Sequence, residues 1–105
     1  MNFVEEVEFR TRGYASKGNK EYRGYQRARM IDFAKHAATL DVRSSGQMGK
    51  FHVVAYWKTH RDLNGRTAYA HWLAIRELWR ILDKPGEPPR PRVVGNANIL
   101  EKNEK

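Results

Sequence analysis

The stretch Gln47–Leu82, QMGKFHVVAYWKTHRDLNGRTAYAHWLAIRELWRIL, decides the fold. It contains all three tryptophans of the chain and is divided by a polar break, Asp62-Leu63-Asn64-Gly65. After the break, Ala68, Trp72, Ile75, Trp79 and Leu82 recur at spacings of four, three, four and three. A helix turns once in about 3.6 residues, so these side chains share one face, with His71 and Leu78 at its flanks. The aromatic stripe is read as core, and function is sought on the other faces. Before the break, Met48, His52, Ala55, Tyr56 and Thr59 lie together, while Val53, Trp57 and His60 face elsewhere. A helix apolar on most sides is expected between neighbours, here over roughly Met48 to Arg61. The break then reads as a tight turn, with a final helix from about Arg66 to Leu82.

Working outward, Lys20 to about Leu40 is again helical. Tyr22, Gln26, Met30, Phe33, Ala37 and Leu40 step by four, four, three, four and three. Lys20, Arg23 and Arg27 lie opposite, with Lys35 at the margin, and residues 10–35 carry eight Lys/Arg against two acids. Near the amino terminus, Asn2 followed by Glu5 forms a capping pattern, and Phe3 and Val7 share one side of a short first helix. Between these helices, residues 12–19 contain two glycines and no period, the pattern of a loop. Asp41 to Gly49 is a polar connector with Ser44 and Ser45 as candidate caps. The four prolines from Pro85 to Pro91 end the last helix and predict an extended, stiff strut rather than a packed element. The expected organisation is an all-α bundle of about four helices over residues 1–84, then a Pro-rich linker and mobile tail over 85–105.

With 105 residues, the chain has room for one core. Its net charge of +8 favours polyanions, nucleic acid first and an anionic membrane second. No apolar run approaches the ~20 residues that span a bilayer, and the acidic start MNFVEEVEF is unlike an export signal. A cytoplasmic, nucleoid-associated protein is the expectation. Without cysteine there is neither disulfide nor thiolate chemistry. His36, His52, His60 and His71 lack the spacing of a ligand set, and Ser16, Ser44 and Ser45 have no adjacent base. Gly46-Gln47-Met48-Gly49-Lys50 is not a phosphate-cradling loop. Neither catalysis nor a metal, cofactor or small-molecule substrate is expected.

Nucleic-acid binding has more support. Three helices each set a basic stripe opposite an apolar one: Lys20, Arg23 and Arg27; Lys50, Lys58 and Arg61; and Arg66, Arg76 and Arg80, the last interleaved with Tyr69. Long cationic side chains on a rigid scaffold suit phosphates, and guanidinium groups fork onto phosphate or guanine edges. At the start of the last helix, Arg66 and Thr67 add donors to the exposed backbone N–H groups.

His52-Val53 and Tyr56 in one helix, the turn Asn64-Gly65-Arg66-Thr67, then Trp72, Ile75, Leu78 and Trp79 with a Pro-rich exit form a familiar order. From roughly Lys20 to Pro91 the chain resembles the amino-terminal core-binding domain of tyrosine recombinases (phage-type integrases). The resemblance implies a SAM-like orthogonal helical bundle that clamps one side of duplex DNA. It also implies partnership with a recombinase catalytic domain or other recombination proteins. In that family the chemistry belongs to a second domain carrying arginines, a lysine, histidines and a nucleophilic tyrosine. No position here takes those roles, and none of Tyr14, Tyr22, Tyr25, Tyr56 or Tyr69 lies in a His-x-x-Arg context. The expected phosphate contacts are Lys20, Arg23, Arg27, Lys50, Lys58, Arg61, Arg66, Arg76 and Arg80, with Thr67 and Tyr69 orienting or reading groove edges. The competing reading is a helical adaptor or inhibitor, of mobile-element origin, that grips an acidic protein through the same surface.

Overall fold

Local hydrogen bonding explains where the helices start. The computed structural model describes residues 1–92, which form α1 (Phe3–Arg10), α2 (Arg12–Ala15), α3 (Lys20–Ala38), α4 (Lys50–Lys58) and α5 (Gly65–Ile81). The all-α expectation holds, with no strand among the described residues. Three of the helices begin at an asparagine. Asn2 Oδ1 accepts from the Glu5 N–H at 2.8 Å while Glu5 Oε1 accepts from the Asn2 N–H at 2.9 Å, completing the capping box. Asn19 and Asn64 likewise cap α3 and α5, accepting from the Tyr22 and Thr67 N–H groups. Each such cap stabilises its helix by about 1 kcal/mol.

The predicted stripes then meet. Phe3 and Val7 of α1, Met30, Phe33, Ala34 and Ala37 of α3, Val53 and Tyr56 of α4, and Trp72, Ile75, Leu78 and Trp79 of α5 form one buried core. Helix α3 packs against every other helix. Arg10 ties the ends together: its Nη2 donates to the Ile81 carbonyl at 2.8 Å, and its guanidinium faces Glu6 and Asp83. No helix among the described residues is long and apolar enough to cross a membrane.

Several local expectations are corrected. The presumed loop contains the single turn α2, which follows α1 after only Thr11. Thr11 is fully buried, and its hydroxyl donates to the Val7 carbonyl. Helix α4 is shorter than expected, because Met48 is committed to the core while Gly49 is still extended. Neither Ser44 nor Ser45 caps it; instead His52 Nδ1 accepts from the Gly49 N–H at 3.0 Å. Nor is α4 buried all round, since Phe51 is 71% and Val54 39% exposed.

The largest correction concerns the prolines, which pack on the bundle. Trp57 Nε1 donates to the Pro89 carbonyl at 2.9 Å, Trp72 Nε1 to Pro88 at 3.0 Å and Trp79 Nε1 to Pro85 at 3.1 Å. Pro88 is buried. A buried indole N–H needs an acceptor. Proline offers a carbonyl but has no N–H of its own to satisfy, so this segment is well suited to lie across three tryptophans. An extended, unpacked strut was anticipated from the proline content; instead the segment bends at Pro85-Gly86, where Gly86 has φ +71°, and is attached to the bundle. The predicted apolar tail from Val93 onward lies outside the described residues.

Candidate nucleic-acid interface

Attaching the proline segment to α4 creates the most distinctive surface of the molecule. Between them runs a groove of about 480 Å³ lined by Val54, Trp57, Lys58, Arg61, Arg90 and Arg92. Helix α4 and the residues after it supply one wall, and the end of the proline segment supplies the other. Val54 and Trp57 are apolar, the other four are cations, and no carboxylate among the described residues lines the groove. Two indole–carbonyl bonds set this geometry, since Trp57 and Trp72 hold the carbonyls immediately before Arg90. The Arg90 guanidinium lies 4.1 Å from the centre of the Trp72 ring, and that of Arg76 lies 4.9 Å from it. Trp72 therefore serves as a common platform that brings Arg76 beside the groove, with both cation–π contacts favourable. Tyr69 stacks on the same tryptophan at 5.8 Å.

The candidate residues divide into three sets. Lys58 and Arg61 line the groove, and Arg76 adjoins it through Trp72. Arg66 is exposed in the first turn of α5 and makes no hydrogen bond or ion pair within the described residues. Lys20 and Lys50 are exposed at the first positions of α3 and α4, outside the groove lining.

The second set is engaged internally. Arg23 Nη1 donates to the Tyr14 carbonyl at 3.0 Å, and its guanidinium covers the Tyr14 ring at 4.6 Å. Arg27 donates from Nε to Thr11 Oγ1 at 3.0 Å and from Nη2 to the Glu8 carbonyl at 2.9 Å. These two arginines close the turn between α1 and α3. Arg80 is bonded to Glu77 one turn earlier on α5. Thr67 belongs to the helix cap, its N–H bonded to Asn64 and its carbonyl to His71 Nδ1.

The third set was missed: Arg90 and Arg92 fell in the presumed linker. A sequence signal for them existed. Three tryptophan N–H donors on apolar helix faces needed acceptors, and the adjacent proline segment is rich in carbonyls without matching donors.

Away from the groove, the spacing of the histidines gave no hint that three of the four gather around one tyrosine. The Tyr56 hydroxyl donates to Asp32 Oδ2 at 2.7 Å; burial, aided by that bond, raises the phenol far above its ordinary range. The rings of His60, His36 and His71 lie 4.0, 5.4 and 6.3 Å from that of Tyr56. His36 Nδ1 is buried without a partner, and burial pushes its imidazole below the usual value, reinforced by His60. No group of histidines and carboxylates among the described residues is arranged to hold a metal ion. The cluster joins α3, α4 and α5 through ring contacts.

Compared with known proteins, the chain matches no family model, no curated protein and no solved structure.

Proposed function

We propose that this bundle is a DNA-binding module that grips the phosphate backbone with Lys58, Arg61, Arg66, Arg76, Arg90 and Arg92. The observation that carries the reading is the basic groove: cations drawn from α4, the turn after it and the proline segment converge, with no carboxylate among the described lining residues. Arg76 extends the positive surface across Trp72. Such a field attracts a polyanion and strengthens as the groove walls exclude water. In this reading the chain contributes binding and no chemistry of its own, as the core-binding arm of a tyrosine recombinase does, and association with the nucleoid follows. Neutralising six phosphates gives a slope of log affinity against log salt of roughly −5 for duplex DNA.

A second reading is favoured by one observation. Phe51 is 71% exposed beside Val54, and an apolar strip flanked by cations also suits an amphipathic acidic segment of a protein. Gel-shift titration against duplex DNA at two salt concentrations separates the two. Binding that weakens steeply with salt and is lost in Arg61→Glu/Arg92→Glu supports the DNA reading. Absence of duplex binding at low salt removes it.

A further inference from the structure

The cations alone would serve a duplex from a convex surface, yet here they surround a recess with an apolar interior. Val54 and Trp57 form that interior, with Lys58 and Arg61 on one wall and Arg90 and Arg92 on the other. Phe51 precedes Val54 by three residues and Lys58 by seven, so all three share the outward stripe of α4. Phe51 is the most exposed aromatic residue of the described chain. Single-strand binding sites combine these same two elements, a cationic channel for the backbone and an aromatic ring on which a base stacks. A base inside a duplex is covered on both faces and cannot use the ring or the recess; an unpaired base can use both. The recess, at about 480 Å³, falls in the size range of small-ligand sites. Its outer wall is held in place by the indole bonds to Pro88 and Pro89, so little ordering is required on binding.

We infer that the groove between α4 and the proline segment seats an unpaired nucleotide, its base against Phe51 and Val54 and its phosphates between Lys58/Arg61 and Arg90/Arg92. The inference rests on the nucleic-acid reading above and specifies the substrate class: DNA with a single-stranded region, such as an overhang or gap. An acidic peptide is the less suitable occupant. Cations stand on both sides of the apolar interior, which suits a nucleotide chain with phosphates flanking each base; an amphipathic helix segregates its charges to one side.

Fluorescence anisotropy with three probes tests this: oligo-dT, a blunt duplex, and the same duplex bearing an oligo-dT overhang. The overhang probe is expected to bind about tenfold more tightly than the blunt duplex, in line with one base–aromatic stack. Phe51→Ala, at an exposed position, is expected to abolish that preference while leaving blunt-duplex affinity and melting temperature unchanged. Equal affinity for blunt and overhang probes, or an equal loss for both in Phe51→Ala, overturns the inference and leaves the duplex reading standing. Failure of every DNA probe overturns both. If an amphipathic Glu/Leu peptide then binds the parent but not Phe51→Ala, the groove is assigned to a protein partner.

Discussion

Two groups of arginines with similar sequence credentials have opposite fates in this molecule. Arg23 and Arg27 lie on a helix with few balancing acids, yet each is turned inward onto carbonyl or hydroxyl oxygens of the preceding segment. Arg61 and Arg92 flank a turn and a proline segment, and neither makes a hydrogen bond or ion pair within the described residues. The difference arises from reach. A guanidinium on a long stem can reach backbone carbonyls wherever a short connection leaves them accessible, as with the Glu8 and Tyr14 carbonyls here. Excess charge on a helix therefore does not by itself mark a binding face; the oxygen acceptors within reach decide.

The largest expected effect breaks the comparison directly. Arg61→Glu/Arg92→Glu should lower duplex affinity on the order of a hundredfold at low salt, with little change in melting temperature. Arg27→Ala should do the reverse. It leaves the Glu8 carbonyl without its donor and Thr11 without its guanidinium, costing about 2 kcal/mol of stability, with duplex affinity of the folded fraction retained. Thermal unfolding and gel shifts on both variants provide the check.

A smaller effect concerns the wall that distinguishes the two regions. Trp57→Phe keeps an aromatic ring but trims the buried indole and removes the N–H that holds the Pro89 carbonyl. The expected cost is about 2 kcal/mol from the lost bond and the lost packing, accompanied by a several-fold loss of duplex affinity as Arg90 and Arg92 lose their fixed position. Unchanged affinity in that variant would show that the wall need not be held for binding.

The smallest effect lies between the regions, in the ring cluster around Tyr56. Burial lowers the folded-state pKa of His36 below its unfolded value, so the unfolded chain binds the proton more readily. The resulting stability contribution is present above the unfolded value and is lost as pH falls through it toward the folded one. Melting temperature should therefore decline on acidification from about pH 6.5, and His36→Gln should flatten that decline. Asp32, His52, His60 and Tyr56 face the same imidazole from α3, α4 and the following turn. A decline of equal steepness in the variant would remove His36 as its source.

Much of the fold was legible because its signals are local. The Asn2/Glu5 cap, the α3 stripe and the tryptophan spacing of α5 are each contained within a few helical turns; the cap and the α5 stripe appear as read, and the α3 stripe does over Gln26–Ala37, whereas Tyr22 and Leu40 at its two ends are exposed. Where the reading failed, the deciding partner lay far along the chain. The proline segment continues no helix, as its φ restriction requires, but its packing depends on indoles up to 32 residues away. Helix α4 was expected to be buried because its composition is apolar; Phe51 and Val54 nevertheless face outward beside the groove. The candidate site was partly legible: Lys58, Arg61, Arg66 and Arg76 carried a helical-stripe signal, whereas Arg90 and Arg92 sit in a segment with no period to read.

The salt dependence of duplex binding tests the central claim most directly, because its slope counts the phosphates that cations neutralise. The parent protein should give roughly −5, Arg61→Ala/Arg92→Ala roughly −3.5, and Arg27→Ala the parent value. A slope that falls in Arg27→Ala but stays unchanged in the groove variant would contradict the account.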